Sequence, residues 1–168
     1  AVHVEATDDK KSRNFSDIQS LIDGCPLSDN VKSTSLKIFG KIAEAEASVH
    51  NCSPQEVHFH EVGGIDAIVD IVGTAIGLEY LEIKKIVASK IPLGKGFVSC
   101  RHGNLPVPAP ATVGILKDVP VYGTDIPHEL VTPTGAAIIV TLAEKFSPLP
   151  EMIIKKVGYG AGKRDFDT

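Results

Sequence analysis

The residues best suited to chemistry lie in one short stretch of the chain. Val57 and Phe59 alternate with His58 and His60, and in an extended segment this alternation places both imidazoles on the same face. Glu61 follows directly. Imidazole and carboxylate groups are the ligands that borderline divalent metal ions use in proteins. The stretch therefore predicts a metal site.

A helix is predicted after the bend at Gly63-Gly64. Its apolar residues recur at helical spacing, and they are Ile65, Ile68, Val69, Val72 and Ile76. Asp66 and Asp70 are four residues apart, so they share one face of this helix. That face continues through Gly73 and Gly77, and we expect a neighbouring backbone to cover it. In the alternative interpretation the histidines are surface strand positions and the aspartates form a solvated helix face.

The composition is typical of a soluble globular chain with a real core. The chain has 168 residues, of which 43% are hydrophobic and 23% charged, and its net charge is −4. This charge and the lack of a long basic run argue against nucleic acid or an anionic membrane as a partner. No apolar run reaches transmembrane length. The three cysteines lack Cys-x-x-Cys spacing, which argues against a disulfide framework and favours a reducing, cytoplasmic setting.

Helices and β-branched runs alternate along most of the sequence. The predicted helices are 16–24, opened by a capping box of Ser16 and Gln19, then 28–49, 65–81, 110–116 and 136–146. The predicted strands are 84–91, 97–100, 119–122 and 152–157. This pattern predicts an α/β or α+β fold, with helices packed on a mixed β-sheet of unknown strand order.

The helix predicted from residue 136 is preceded by a possible anion site. Thr132 can cap this helix, Pro133 suits its first turn, and Gly135 leaves backbone N–H groups uncovered. Uncovered N–H groups at a helix start attract anions. Ordinary N-capping is the alternative interpretation.

Two glycine-rich segments do not match known nucleotide-binding patterns. A P-loop at 158–163 would need glycine at Val157 and Ser or Thr at Arg164. Gly94-x-Gly96 lacks the third glycine of a dinucleotide fingerprint, and the sequence contains no Gly-x-Ser-x-Gly elbow.

Four sequence blocks together resemble the LarC family. The blocks are 57–63 with Asp66 and Asp70, then 102–112, 129–137 and 158–162. They occur in the family's order, and the resemblance covers most of the chain from about Asp17 onward. The resemblance implies CTP-dependent insertion of Ni²⁺ into a pyridinium bis-thiocarboxylate mononucleotide, which yields the nickel-pincer cofactor of lactate racemase.

The resemblance also implies a longer protein. Family members begin with a glycine-rich motif and carry a C-terminal nucleotide-binding domain, and neither is present in these 168 residues. We therefore expect residues 1–15 to be a flexible or truncated start and residues 16–168 to be a single domain, a fragment of a longer family chain. CTP, with Mg²⁺ or Mn²⁺, would bind outside this chain. The implied partners are the mononucleotide and other nickel-pincer biosynthesis proteins, and a homo-oligomer remains open.

For this activity we predict two groups of site residues and assign no catalytic residue. His58, His60 and Glu61 would hold the ion, with the two aspartates as orienting groups or additional ligands and a distant histidine completing the site. The predicted metal-site residues are His58, His60, Glu61, Asp66, Asp70 and His102. The predicted contacts to the substrate's phosphate are Thr132, Thr134, Gly135, Arg101 and Lys163.

Two other functions remain open at this point. The same His and Asp cluster could activate water in a metal-dependent hydrolase or another phosphate-handling enzyme. Alternatively, the chain could be a non-catalytic metal-binding or assembly scaffold.

Overall fold

The computed structural model describes residue 5 and residues 13–59, 64–100 and 103–160. Within these ranges the chain forms five helices and eight short strands. The helices are α1 (Phe15–Gly24), α2 (Asp29–His50), α3 (Ile65–Tyr80), α4 (Pro110–Ile115) and α5 (Pro133–Leu142). The strands are β1 (Arg13–Asn14), β2 (His58–Phe59), β3 (Val87–Ala88), β4 (Ile91–Leu93), β5 (Phe97–Cys100), β6 (Gly103–Pro106), β7 (Val121–Gly123) and β8 (Lys145–Phe146).

The strands pair in four two-stranded ladders within the described part of the chain. β1 pairs with β2 and β5 with β6, both antiparallel, whereas β3 pairs with β8 and β4 with β7, both parallel. The predicted α/β class is therefore confirmed, with parallel and antiparallel pairs both present. No helix in the described ranges is long and apolar enough to cross a bilayer.

Helix α2 is the centre of the core and contacts all four other helices. Its Ile38, Phe39 and Ile42 are fully buried, and each such side chain stabilises the fold by about 1.5–3 kcal/mol. The helix begins where the sequence predicts, because the Ser28 hydroxyl accepts a hydrogen bond of 3.2 Å from the backbone N–H of Val31.

Helix α1 begins earlier than predicted. Its N-cap is Asn14, whose side chain accepts a 2.8 Å hydrogen bond from Asp17 N, while Asn14 N donates to the Asp17 carboxylate at 3.0 Å. The predicted capping box of Ser16 and Gln19 is wrong. Asn14 pairs with His58 in the β1–β2 ladder, and this pairing holds the extended backbone that an N-cap requires.

The face that α3 buries differs from the prediction in part, since Ile68 and Val72 of the predicted stripe pack against the core but Ile76 does not. Its buried residues are Ala67, Ile71 and Ala75, whereas Ile76 is 43% exposed. Apolar side chains surround most of this helix, so their spacing alone does not select the buried face. The prediction that a neighbouring backbone covers Gly73 and Gly77 is wrong for the described residues. If a Cβ were added at either glycine, no atom of a neighbouring element among the described residues would lie within 4 Å of it.

The C-terminal part of the fold differs from the prediction in two places. The helix capped by Thr132 starts at Pro133, as its cap and first-turn proline predict, but it ends at Leu142 rather than at residue 146. Lys145–Phe146 instead pairs with Val87–Ala88 as a parallel strand. The strand predicted for 152–157 is not formed, since residues 152–160 have neither helix nor strand. A strand needs a partner for its backbone groups, and no described strand pairs with this segment.

Candidate functional site

A cavity of about 280 Å³ lies between the first turns of α3 and α5 and the β5–β6 hairpin. Its polar wall consists of the carboxylates Asp66, Asp70 and Glu129 and the hydroxyls Thr132 and Thr134. Its apolar wall consists of Ala67, Val98, Leu105, Ala109 and Pro133. Two of the sequence-predicted groups, the aspartates and the threonines, therefore meet at one cavity.

Helix α3 brings two carboxylates to this cavity. Asp66 and Asp70 are both exposed and lie one position before the buried residues Ala67 and Ile71. Burial of Ala67 and Ile71 holds the helix in a single orientation, which turns both aspartates to the cavity. The prediction that they share a face is confirmed.

Helix α5 presents its N-terminus to the cavity. Thr132 is the N-cap, and its hydroxyl accepts a 3.1 Å hydrogen bond from Gly135 N. This bond commits the Gly135 N–H to ordinary capping. Pro133 has no N–H, and the N–H of Thr134 has no hydrogen-bond partner among the described residues. The partial positive charge of the helix start is thus directed to the cavity mainly through Thr134.

The cavity combines negatively charged carboxylates with the partial positive charge of a helix N-terminus. Three carboxylates line it, and the described lining residues include no Lys or Arg. A bare phosphate would be attracted by the helix start but repelled by the carboxylates, whereas a divalent cation would be attracted by the carboxylates. The arrangement therefore suits a cation together with an anion better than an anion alone.

The histidine strand has the predicted alternation. Val57 and Phe59 are buried, His58 is exposed, and the Phe59 ring lies 6.2 Å from the Phe39 ring, centroid to centroid. The core contact fixes Phe59 and thereby directs His58 outwards. His60 follows Phe59 directly and lies outside the described residues.

The β5–β6 hairpin forms the apolar side of the cavity. Val98 and Leu105 are cross-strand partners and both line it. The ladder is also held by a 2.5 Å hydrogen bond from the Ser99 hydroxyl to the Asn104 side-chain oxygen. Helix α4 begins just after this hairpin at Pro110, as predicted, and Ala109 before it completes the apolar wall.

Glu129 is the charged cavity residue that the sequence analysis did not predict. Its loop is tied to the end of β4, because Thr124 N donates to Leu93 O at 2.8 Å and Lys95 N donates to Ile126 O at 3.0 Å. A Cβ at Gly94 would collide with the backbone oxygen of His128, so glycine permits this close approach. The position of Glu129 at the start of the 129–137 block was the available signal.

An exposed ion pair also joins this loop to the residue after Gly94. The Lys95 ammonium lies 2.8 Å from the Asp125 carboxylate, and the hydrogen bond and charge of Lys95 lower the pKa of Asp125 below its ordinary value. Both side chains are exposed, so this pair adds little to the stability of the fold.

The sequence matches one protein family along its entire length. The family model described as "Nickel insertion protein" covers residues 1–168. The chain belongs to the nickel insertion protein family.

Two curated members of the nickel insertion protein family illustrate the similarity. Both carry the name "Pyridinium-3,5-bisthiocarboxylic acid mononucleotide nickel insertion protein". The one from Acetivibrio thermocellus is 56% identical over 154 residues, which are 90% of this chain and 38% of that protein. The one from Desulfitobacterium hafniense is 49% identical over 164 residues, which are 98% of this chain and 41% of that protein. This chain thus spans about 40% of the length of these relatives. No solved structure matches it.

Only part of the predicted metal site of this member of the nickel insertion protein family lies within the described residues. His58, Asp66 and Asp70 are among the described residues. His60, Glu61 and His102 lie outside them, as do Arg101 and Lys163. The described residues alone contain no group of three or more His, Cys, Asp or Glu side chains placed to hold one metal ion. The ligand set therefore stays a prediction.

Proposed function

We propose that this chain is the part of a nickel insertion protein that receives Ni²⁺ and presents it to a mononucleotide substrate. The observation that carries the proposal is that Asp66 and Asp70 line the same cavity as the N-terminus of α5. Carboxylates attract a divalent cation, and the partial positive charge of a helix N-terminus attracts a phosphate. The two relatives described above are named for nickel insertion into a mononucleotide that carries two thiocarboxylic acid groups.

Nickel transfer requires protein ligands that bind the ion and then release it. We assign the holding role to His58, His60 and Glu61, with Asp66 and Asp70 as orienting groups or further ligands and His102 completing the set. Imidazole and carboxylate ligands in an open site exchange more readily than a closed thiolate cage. The thiocarboxylate sulfurs of the substrate are softer donors, which favours movement of the ion from the protein to the substrate.

The phosphate of the mononucleotide is assigned to the start of α5. Thr134 offers a backbone N–H and a hydroxyl at the cavity, and Thr132 and Gly135 form the cap beside it. Arg101 or Lys163 would supply the positive charge that the described lining lacks. Bound Ni²⁺ would also offset the repulsion between the phosphate and the carboxylates of Asp66 and Asp70.

We place CTP and its Mg²⁺ or Mn²⁺ ion outside this chain. The described part of the glycine-rich loop, Gly158-Tyr159-Gly160, is exposed and has no regular structure, so it does not resemble a preformed triphosphate site. In this proposal residues 16–168 are one domain of a longer protein. A cytoplasmic setting and exchange of the mononucleotide with other nickel-pincer biosynthesis proteins are also proposed, and the free thiols of Cys25 and Cys52 are consistent with a reducing compartment.

Calorimetric titration of Ni²⁺ into the purified chain tests the proposal. Replacing both aspartates, Asp66→Asn and Asp70→Asn, is expected to weaken Ni²⁺ binding by about 10-fold or more. The matched control is Asp23→Asn, an exposed position on α1 that is not at the cavity, and it should bind like the parent. Parent-like Ni²⁺ affinity in the double variant, with an unchanged circular dichroism spectrum, would exclude the aspartates from the site.

The same chain and variants distinguish nickel transfer from hydrolysis. A metal-dependent hydrolase would turn over a generic phosphoester such as p-nitrophenyl phosphate when Ni²⁺ or Mn²⁺ is added, and the double aspartate variant would lose this turnover. We expect no turnover, because the proposed reaction is an exchange of ligands at the metal ion.

A further inference from the structure

The segment 149–159 exposes a large amount of apolar surface. Its exposed apolar side chains are Leu149, Met152, Ile153, Ile154, Val157 and Tyr159, with Ile153 at 88% and Tyr159 at 97% exposure. Residues 152–160 have neither helix nor strand and make no hydrogen bond or ion pair with the other described residues. Soluble chains rarely leave so many neighbouring apolar side chains in water unless another surface covers them.

The sequence of this segment is typical of a strand that is covered on both faces. Ile153 and Val157 would point to one face of an extended chain, and Met152 and Ile154 to the other. Three of the residues in 152–157 are β-branched, which favours a strand. An apolar strand with unpaired backbone groups is a surface that a second strand can extend.

We propose that, in the full-length family protein, residues 152–157 form a β-strand. This strand pairs with a segment of the same protein that lies outside the part corresponding to these 168 residues. The matched part is 38% and 41% of the two relatives, so most of each relative lies beyond the match and can supply the partner. At about 50% identity over this part, the relatives have a closely similar chain against which that polypeptide would pack.

Pairing with a second copy is less favourable because of charge. In a fully overlapped antiparallel pair of two such segments, Lys155 of one copy would be the diagonal neighbour of Lys156 of the other, and this would occur twice. A parallel pair in register would stack each lysine on its counterpart. Like charges in either arrangement destabilise the ladder. The partner strand is therefore expected to carry no lysine or arginine opposite these positions.

Hydrogen exchange followed by mass spectrometry tests the proposal. The probe is a chimera in which this chain replaces the matching part of the full-length A. thermocellus protein. We expect the amides of 152–157 to exchange at least about tenfold more slowly in the chimera than in the 168-residue chain. Amides of α2 provide the folding control and should be slow in both proteins. Equally fast exchange of 152–157 in both would overturn the proposal, and protection of the 168-residue chain that increases with its concentration would indicate a second copy instead.

A pair of substitutions separates docking from a local structural role. Ile153→Asp with Val157→Asp should restore fast exchange of the segment in the chimera, because the charges cannot be buried against a partner strand. The same pair should leave the urea midpoint of the 168-residue chain unchanged, since these side chains are exposed there. Tyr80→Asp, at another exposed apolar position, is the control and should leave the protection of 152–157 intact. Loss of stability in the isolated chain, or continued protection in the chimera, would contradict the proposal.

Discussion

The hydroxyl of Ser28 donates a 2.7 Å hydrogen bond to the carboxylate of Glu79. The same hydroxyl accepts the N-cap bond from Val31, so one group both starts α2 and holds the end of α3. Asp66 and Asp70 lie near the opposite end of α3. The contact therefore helps to set the direction in which α3 presents its carboxylates to the cavity.

Loss of this hydroxyl should weaken the fold modestly. Ser28→Ala is expected to lower the free energy of unfolding by about 1 kcal/mol, because the cap and its bond to an exposed carboxylate are both removed. Urea denaturation measures the change. Ser33→Ala, at an exposed position within the same helix, should have no destabilising effect. An equal loss in both variants would show that the cap is not the cause.

The buried face of α3 can be tested with two isoleucines of the same helix. Ile71→Ala should lower the free energy of unfolding by about 2–5 kcal/mol, because Ile71 is fully buried and its truncation leaves a cavity. Ile76→Ala should cost less, since Ile76 is 43% exposed and its truncation leaves no enclosed cavity. Chemical denaturation of the two variants compares them directly. A larger loss for Ile76 would favour the face predicted from spacing alone.

The histidine pair should affect nickel rather than folding. His58→Ala with His60→Ala is expected to weaken Ni²⁺ binding by about 10-fold or more. His58 is exposed in β2, so the circular dichroism spectrum and unfolding midpoint should change little. Competition with a coloured chelator measures the affinity. Parent-like nickel binding by this double variant would remove the strand from the ligand set.

A local pH effect is expected near the end of α2. The hydrogen bond from the Ser53 hydroxyl to the Glu56 carboxylate, at 2.7 Å, and a second bond from Ser53 N lower the pKa of Glu56 below 4.5. A lowered pKa in the folded chain means that the contribution to stability is present above about pH 4.5 and is lost as the pH falls through the lowered pKa.

Removal of the Ser53 hydroxyl tests its effect on the pKa of Glu56. Ser53→Ala should raise the pKa of Glu56 towards its ordinary value, as measured by NMR titration of the side-chain carboxyl carbon. Ser53→Thr keeps a hydroxyl at this position and should leave the pKa low. If the alanine variant titrates like the parent, the hydroxyl does not determine the pKa.

The helix starts were predictable where the signal is local. Ser28, Pro110 and Thr132 each stand at a start that the structure confirms, because a cap or a first-turn proline acts within three residues. Helix α1 shows the limit of this reasoning. Both Asn14 and Ser16 can cap a helix, and the choice depends on the pairing of Asn14 with His58, which is distant in sequence.

The candidate site was predictable in its parts and not in its assembly. The spacing of Asp66 and Asp70 was enough to place them on one face. Their meeting with Thr132 and Thr134 depends on the packing of α3 against α5, which no local pattern encodes. Glu129 was missed for the same reason, since its place at the cavity depends on backbone contacts between its loop and the end of β4.

The close approach at Gly94 has a consequence for ligand binding. The loop that carries Glu129 lies against the backbone at Gly94 and is hydrogen-bonded to the neighbouring residues Leu93 and Lys95, so its conformational entropy is lost during folding. A metal ion or substrate that binds then does not have to immobilise the Glu129 loop. More of the free energy of its contacts therefore contributes to affinity. Gly94, which has no side chain and does not line the cavity, would thus influence how tightly the cavity binds.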